Sequence, residues 1–584
     1  MRRMAPSTLK ALAIRQRQRL RESEMAFIVL ALVAGLAAGW LTNIQGFVAH
    51  AMQGLLYGIT DNRLSALGEI RNPWRLLALP FGGLLLVGMA HFLRRRRRPP
   101  IDVVEANALH SGRIPFVDNL VISAQTVISN GAGASVGLEA AYAQMGGGFA
   151  SILGQWFKLR RADMRTLVGA GAGAAVGAAF GAPLAGAFYA FEIVIGTYTP
   201  AAIAPVVAAS LGAAFITRSL GVEPYLIASS ASHSISTGDY FIYTVLGLVC
   251  ALVGIALMRL VTFAESHVQK ARRISRWKPV IGGVLLMPLA MVTPQTLSAG
   301  HGAMHLNLAM QPALQFLATV LVLKIVASAI SLAFGFRGGL FFASLFLGST
   351  VGLIFAGLVG MLPLGITLNI NDAALVGMSA LAVSVVGGPM TLAMLVLETT
   401  HDFTLMGVVL TASLVSSALT RETFGYSFST WRLHVRGSII RSPRDIGWML
   451  TLTAGRIMRK DWTSAPAALT VADFRARVPL GSTSKAILLD EAGHYAGIVA
   501  TAAAWNPELD PDEPIGTLAT LEDNTLSPVS DIRAMLKAFD LVAADELAVV
   551  DGVGTVVGVV TERHARRRYF EEIESSQREL FGES

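Results

Sequence analysis

Between residues 25 and 420 the chain passes through one apolar stretch after another, and in two regions glycine breaks those stretches. That combination narrows the possible folds sharply. Hydrocarbon offers no partner to a bare N–H or C=O, so only helices or closed barrels cross it, and broken backbone survives there only inside protein or beside a water-filled cavity. The runs at 25–58, 75–93, 199–219, 240–264, 278–294 and 403–420 read as plain helical crossings. From 131 to 196, and again from 311 to about 400, the segments are short and interrupted. Only 15% of residues are charged, against about 25% in a soluble domain. The 57 glycines suit helices that pack closely. The expectation is an all-α polytopic membrane domain.

The two broken regions resemble each other. Pro183 precedes Glu192 by nine residues, and Pro389 precedes Glu398 by the same distance. Upstream, Gly137-Leu138-Glu139-Ala140-Ala141 parallels Gly339-Leu340-Phe341-Phe342-Ala343. Paired interrupted segments in two halves mark repeat-built transporters and channels, with the site between the breaks. Inverted repeats of broken helices are therefore expected.

Glu139 is the first candidate functional residue. It is the one carboxylate of Gly131–Met145, and no Lys or Arg stands between Arg113 and Lys158 to pair with it. An ionisable group at membrane depth is rare and usually faces a pathway. Glycines before it and helix formers after it place it near a helix N-terminus, where free N–H groups and the dipole attract anions.

The net charge of +8 reflects basic clusters at Arg2–Arg21, Arg94–Arg98, Lys158–Arg165 and Lys270–Lys278. The positive-inside rule accounts for them, with N- and C-termini cytoplasmic in a bacterial inner membrane, and no nucleic acid as partner. Met1–Glu24 is basic and polar, so no cleavable signal peptide is expected. The single Cys250 lies in an apolar run and is expected in the core or facing lipid. After Arg421 hydropathy falls. A linker is expected over 436–460. Over 461–570, two copies of strand, turn and strand are expected: Lys485–Thr501, and Glu546 onward with a basic helix behind it. Residues 571–584 read as an acidic, fraying tail.

With these motifs in place, the chain resembles the CLC family of chloride channels and proton-coupled anion exchangers, with a C-terminal CBS pair. The resemblance rests on GAAVGAAFGAPLAGAFYAFE (Gly173–Glu192), GGLFFASLFLG (Gly338–Gly348), GGPMTLAMLVLETTHDF (Gly387–Phe403) and GYSFSTWRL (Gly425–Leu433). It covers 25–435 as a transmembrane anion-transport domain and 461–570 as a small cytoplasmic α/β CBS-pair domain. It implies that Glu139 is the gating glutamate. It implies an anion site at Gly137, Leu138, Ala140, Gly339, Leu340, Phe341, Phe342 and Tyr426, with the amides of Leu340 and Phe341 as the cradle and Tyr426 as a side-chain ligand. It also implies a homodimer with one pore per subunit, with chloride and other small anions, and protons, as partners. No metal is expected. No cofactor is expected either: adenine nucleotide at the CBS pair is the one candidate, and the motif Gly558–His564 ends in His564 where the family has Asp.

Departures from the family shape the functional expectation. Ile193 stands where many exchangers carry an inner proton-transfer glutamate. The family's serine motif has no clean copy near Arg96–Pro100, and His110-Ser111-Gly112-Arg113-Ile114-Pro115 sits too close to Glu139. Passive anion conduction gated by Glu139 is the expectation, with proton-coupled antiport as the alternative. Glu192 and Glu398 are expected to stabilise helix ends. Lys324 is expected either to add positive potential near a pore or to snorkel to an interface. Gly133-Ala134-Ser135-Val136-Gly137 formally matches a hydrolase nucleophile elbow, but no strand precedes it, so an enzyme is not expected.

Overall fold

The computed structural model describes residues 23–59, 63–70, 72–93, 100–221, 235–270, 276–363, 368–425, 427, 431 and 452–581, the last ten by backbone alone. The chain forms two units, Met1–Asp445 and Ile446–Ser584.

The first unit is helical. Helix α1 (Glu24–Tyr57) precedes α2 (Phe116–Gly131), α3 (Glu139–Phe157), α4 (Arg161–Phe180), α5 (Pro183–Tyr189, continued by a wider π-helical turn at Ala190–Ile195) and α6 (Pro200–Ser219). Helix α7 (Thr237–Lys270) leads to a second series: α8 (Leu314–Ala333), α9 (Phe341–Met361), α10 (Ile370–Val386), α11 (Pro389–Thr400) and α12 (Phe403–Thr423). Among the described residues seven helices are long and apolar enough to cross a membrane. Six bury half or less of their apolar window, as lipid-facing helices should, whereas Phe341–Met361 buries 72% and so lies at the centre.

The two series α2–α6 and α8–α12 are copies. The breaks at 132–138 and 334–340 are equal in length and are held by the same bonds at equivalent positions. Ala134 N–H donates to Ser129 O, and Phe336 N–H to Ser331 O, both at 3.0 Å. Across the copies, Ser135 N–H donates to Ser331 Oγ (3.0 Å) and Arg337 N–H to Ser129 Oγ (2.9 Å). At the centre Gly137 and Gly339 form an antiparallel bridge, with N–H to O at 2.9 and 3.3 Å. An antiparallel bridge between equivalent residues requires a two-fold relation, so one copy runs opposite to the other.

The matched Pro-to-Glu spacing has the same cause. Glu398 accepts from Leu184 N–H (2.9 Å) and Ala185 N–H (2.8 Å) at the start of α5. Glu192 accepts from Met390 N–H (3.2 Å), Thr391 N–H (2.9 Å) and Thr391 Oγ1 (2.7 Å) at the start of α11. Each carboxylate caps the proline-initiated helix of the other copy, satisfying N–H groups that a helix start leaves bare. The expected helix-end role is what the geometry shows.

In the second unit β1 (Ser464–Pro466) pairs parallel with β2 (Lys485–Leu489), which pairs antiparallel with β3 (Tyr495–Ala500). A second hairpin joins β4 (Glu546–Val550) to β5 (Val556–Thr561). Both hairpins slip register at the same place, between Leu488 and Leu489 and between Val549 and Val550. Helices α13 (Val471–Arg477), α14 (Ile532–Val542) and α15 (Glu562–Phe581) pack beside them. The segment read as the end of a linker carries Leu452, Ala454 and Ile457 into the hydrophobic core of this unit. The tail read as fraying continues α15 as far as Phe581.

Candidate anion pathway

Helix α3 begins at Glu139 and α9 at Phe341, and neither start carries a side-chain cap. The chain thus delivers two sets of uncapped backbone N–H groups beside the Gly137–Gly339 bridge. Uncapped helix starts are sites for anions. Glu139 is buried, at 3% exposure. Its carboxylate folds back over the bridge: a Cβ on Gly137 would collide with Glu139 Oε2, and one on Gly339 would stand 3.6 Å from it. Glycine at 137 is what makes room. The amides of Glu139 itself and of Phe342 approach the carboxylate, and Oε2 has no hydrogen-bond partner within the chain. Gly137, Leu138, Glu139, Ala140, Gly339, Leu340, Phe341 and Phe342 are therefore brought together around one point.

Aromatic rings enclose it. Phe341 lies 5.4 Å from the ring of Phe180 and 6.0 Å from Tyr189. Phe342 stacks on Phe180 at 6.0 Å and on His301 at 3.4 Å. A cavity of about 470 Å³ reaches this point from one side. Ala140, Gly339, Leu340, Phe341, Tyr189 and Ile193 line it, as do Glu265, Gln269 and Lys278 from the end of α7 and the helix start that follows it. Glu139 is not among the lining residues; the cavity stops at Ala140 and Gly339, with the carboxylate on the bridge.

The other expected residues sort clearly. Tyr426 and most of the Arg96–Pro100 stretch lie outside the described residues. Ser111 accepts from Arg161 Nε (2.5 Å) and lines a separate pocket with His110 and Arg113. Lys324 neither snorkels nor faces the cavity. It is fully buried, and its Nζ donates to Ser298 O (2.6 Å) and Thr296 O (3.2 Å). Ser298 in turn donates its N–H to Gly133 O (3.0 Å) and accepts from Asn130 Nδ2 (3.0 Å), so Lys324 braces the break before Glu139. Cys250 is buried, its Sγ 3.6 Å from Gly377 O. Gln144, Tyr189 and Arg337 line the cavity and were not singled out from the sequence. The position of Gln144 four residues after Ala140, on the same face of α3, was the available signal.

A family model described as "Voltage gated chloride channel" matches residues 82–421, more than half of the chain. The chain belongs to this voltage-gated chloride channel family, the CLC family. It is 27% identical over 406 residues to the voltage-gated ClC-type chloride channel ClcB of Escherichia coli O81 (strain ED1a), covering 68% of this chain and 95% of that one. Its fold is similar to that of a slow cyanobacterial Cl-/H+ antiporter, with TM-score 0.61, 23% identity, and 70% and 97% of the two chains covered. A eukaryotic CLC transporter superposes with TM-score 0.59 at 16% identity over 94% of this chain and 98% of that one. Members of this family are channels or transporters, and the chain is a multi-pass anion-transport protein, not an enzyme. Ser135 agrees: its Oγ meets Ser328 Oγ at 3.1 Å, a hydroxyl rather than a histidine base.

Proposed function

We propose that the protein conducts chloride and other small anions through a path in each subunit of a homodimer, with Glu139 as the gate. One observation carries this reading: the Glu139 carboxylate lies over the Gly137–Gly339 bridge, between two uncapped helix starts and beside a cavity lined by Ala140 and Gly339. Deprotonated, it occupies the place that the amides offer to an anion. Protonated, it loses the charge that holds it there and yields the place to chloride. Leu340, Phe341 and Phe342 with Gly339, and Gly137, Leu138 and Ala140, supply the backbone of the site; Tyr426 is a further ligand by resemblance.

Passive conduction is favoured over proton-coupled antiport by Ile193 on the cavity wall and by Glu192, whose carboxylate is spent on the start of α11. Antiport has its own support, since Asp102 and Glu265 line the same cavity and offer carboxylates to a proton. The reversal potential of reconstituted protein under a chloride gradient separates them. Conduction predicts no shift when a pH gradient is added, and a shift establishes coupling. The membrane is a bacterial inner membrane with both termini cytoplasmic. The second unit acts as a CBS-type regulatory domain, and His564 in place of the ribose-binding acid argues against nucleotide there.

A further inference from the structure

Gln144 lies on α3 beyond Glu139 and is 1% exposed. Its Oε1 accepts from Val103 N–H at 2.9 Å. That bond fixes the orientation of the amide, because the opposite flip would set a donor against a donor. Nε2 is then turned the other way, buried and without a partner within the chain. Buried donors are nearly always satisfied, so an orphan of this kind needs an explanation. The residue lines the cavity together with Ala140, Leu340 and Phe341. No Ser or Thr hydroxyl lies among the described residues that line it.

Two other polar groups on that wall are already engaged. Arg337 donates from its guanidinium to Gln125 Oε1 (3.2 Å). Asp102 Oδ1 accepts from Glu105 N–H (2.8 Å) as a helix cap. Gln144 is different: one end of its amide is anchored and the other is an unpartnered donor on a residue that shares the cavity lining with Leu340 and Phe341.

We propose that Gln144 Nε2 is a side-chain donor to the small monovalent anion, halide or nitrate, as it passes between the cavity and the amides of Leu340 and Phe341. This rests on the anion-transport reading above. The fixed Val103 contact preorganises the donor, so little is lost in ordering it when the anion arrives.

The test is chloride binding by calorimetry on the purified full-length protein, alongside chloride efflux from liposomes. Gln144→Met removes the donor and is expected to weaken chloride binding about tenfold, equivalent to ~1.4 kcal/mol. Gln144→Glu keeps an acceptor for Val103 N–H, and with it the local fold, but presents a carboxylate to the cavity. It is expected to weaken binding more than Gln144→Met at neutral pH and to recover at low pH, when a carboxylic O–H can donate. Should Gln144→Met not yield monodisperse protein, Gln144→Glu decides. Wild-type affinity and flux in Gln144→Glu at neutral pH would overturn the assignment. A wild-type protein that neither binds nor passes chloride sinks the transport reading and takes this one with it.

Discussion

Glu398 offers a quantitative check on the reciprocal capping between repeats. It binds two backbone N–H groups at 2.9 and 2.8 Å, at a helix start whose own N-cap residue offers no side-chain cap. Hydrogen bonds to charged groups are worth ~1.5–3 kcal/mol each, and loss of an N-cap costs about 1 kcal/mol. Leu184 is exposed and water can replace part of the loss, so Glu398→Ala is expected to cost ~2 kcal/mol in total. Glu398→Gln keeps one good acceptor and should cost about half as much. Denaturation in detergent, followed by tryptophan fluorescence, measures both. The equivalent Glu192→Ala should cost more, because a third bond, from Thr391 Oγ1, is lost as well. Chloride flux per folded protein should survive in Glu398→Gln, since the residue holds a helix rather than a proton. A Glu398→Ala protein within ~0.5 kcal/mol of wild type would refute the capping argument, as would a Gln variant no better than Ala.

Three further outcomes follow from other contacts. Lys324→Met should destabilise by ~2–4 kcal/mol, because it strips buried carbonyls of their donor; near-wild-type denaturation would contradict the bracing role. Gly348→Ala should abolish folded, monodisperse protein on size-exclusion chromatography, because its Cβ would run into the backbone carbonyl of Gly377 where α9 and α10 cross. In the second unit, backbone N–H groups of His494 and Thr555 hold the Asp490 and Asp551 carboxyls below the usual carboxylate range. A depressed folded value means that this stabilisation is present at neutral pH and lost as pH falls through the acid range. The Asp490→Asn and Asp551→Asn proteins should therefore lose less stability on acidification than wild type, as read from melting curves of the full chain.

The path from sequence to fold was short where the residues carry their own instruction. Broken apolar runs forced helices with interior breaks, and the Gly137 and Gly339 motifs proved to be the two halves of one bridge. The equal Pro-to-Glu spacings marked a shared structural task, and the bonds from Leu184 and Thr391 show what it is. Lys324 was illegible for a physical reason. A lone lysine in an apolar run says nothing about which distant carbonyls it will meet, and Thr296 to Ser298 come from another segment. Gln144 was passed over because an amide in a helix looks ordinary until its partner, Val103, and its unpaired nitrogen are known. Ser135 illustrates the converse: a short motif match carried no chemistry once its neighbours, Ser328 and Ser331, were in place.

The most direct measurement is chloride efflux from proteoliposomes across a range of pH, comparing wild type with Glu139→Gln. In the proposed mechanism protonation frees the gate, so wild-type flux should rise as pH falls, whereas the neutral glutamine should give a flux that is independent of pH over the same range. Flux in Glu139→Gln that matches wild type in both rate and pH dependence would contradict the assignment of Glu139 as the gate.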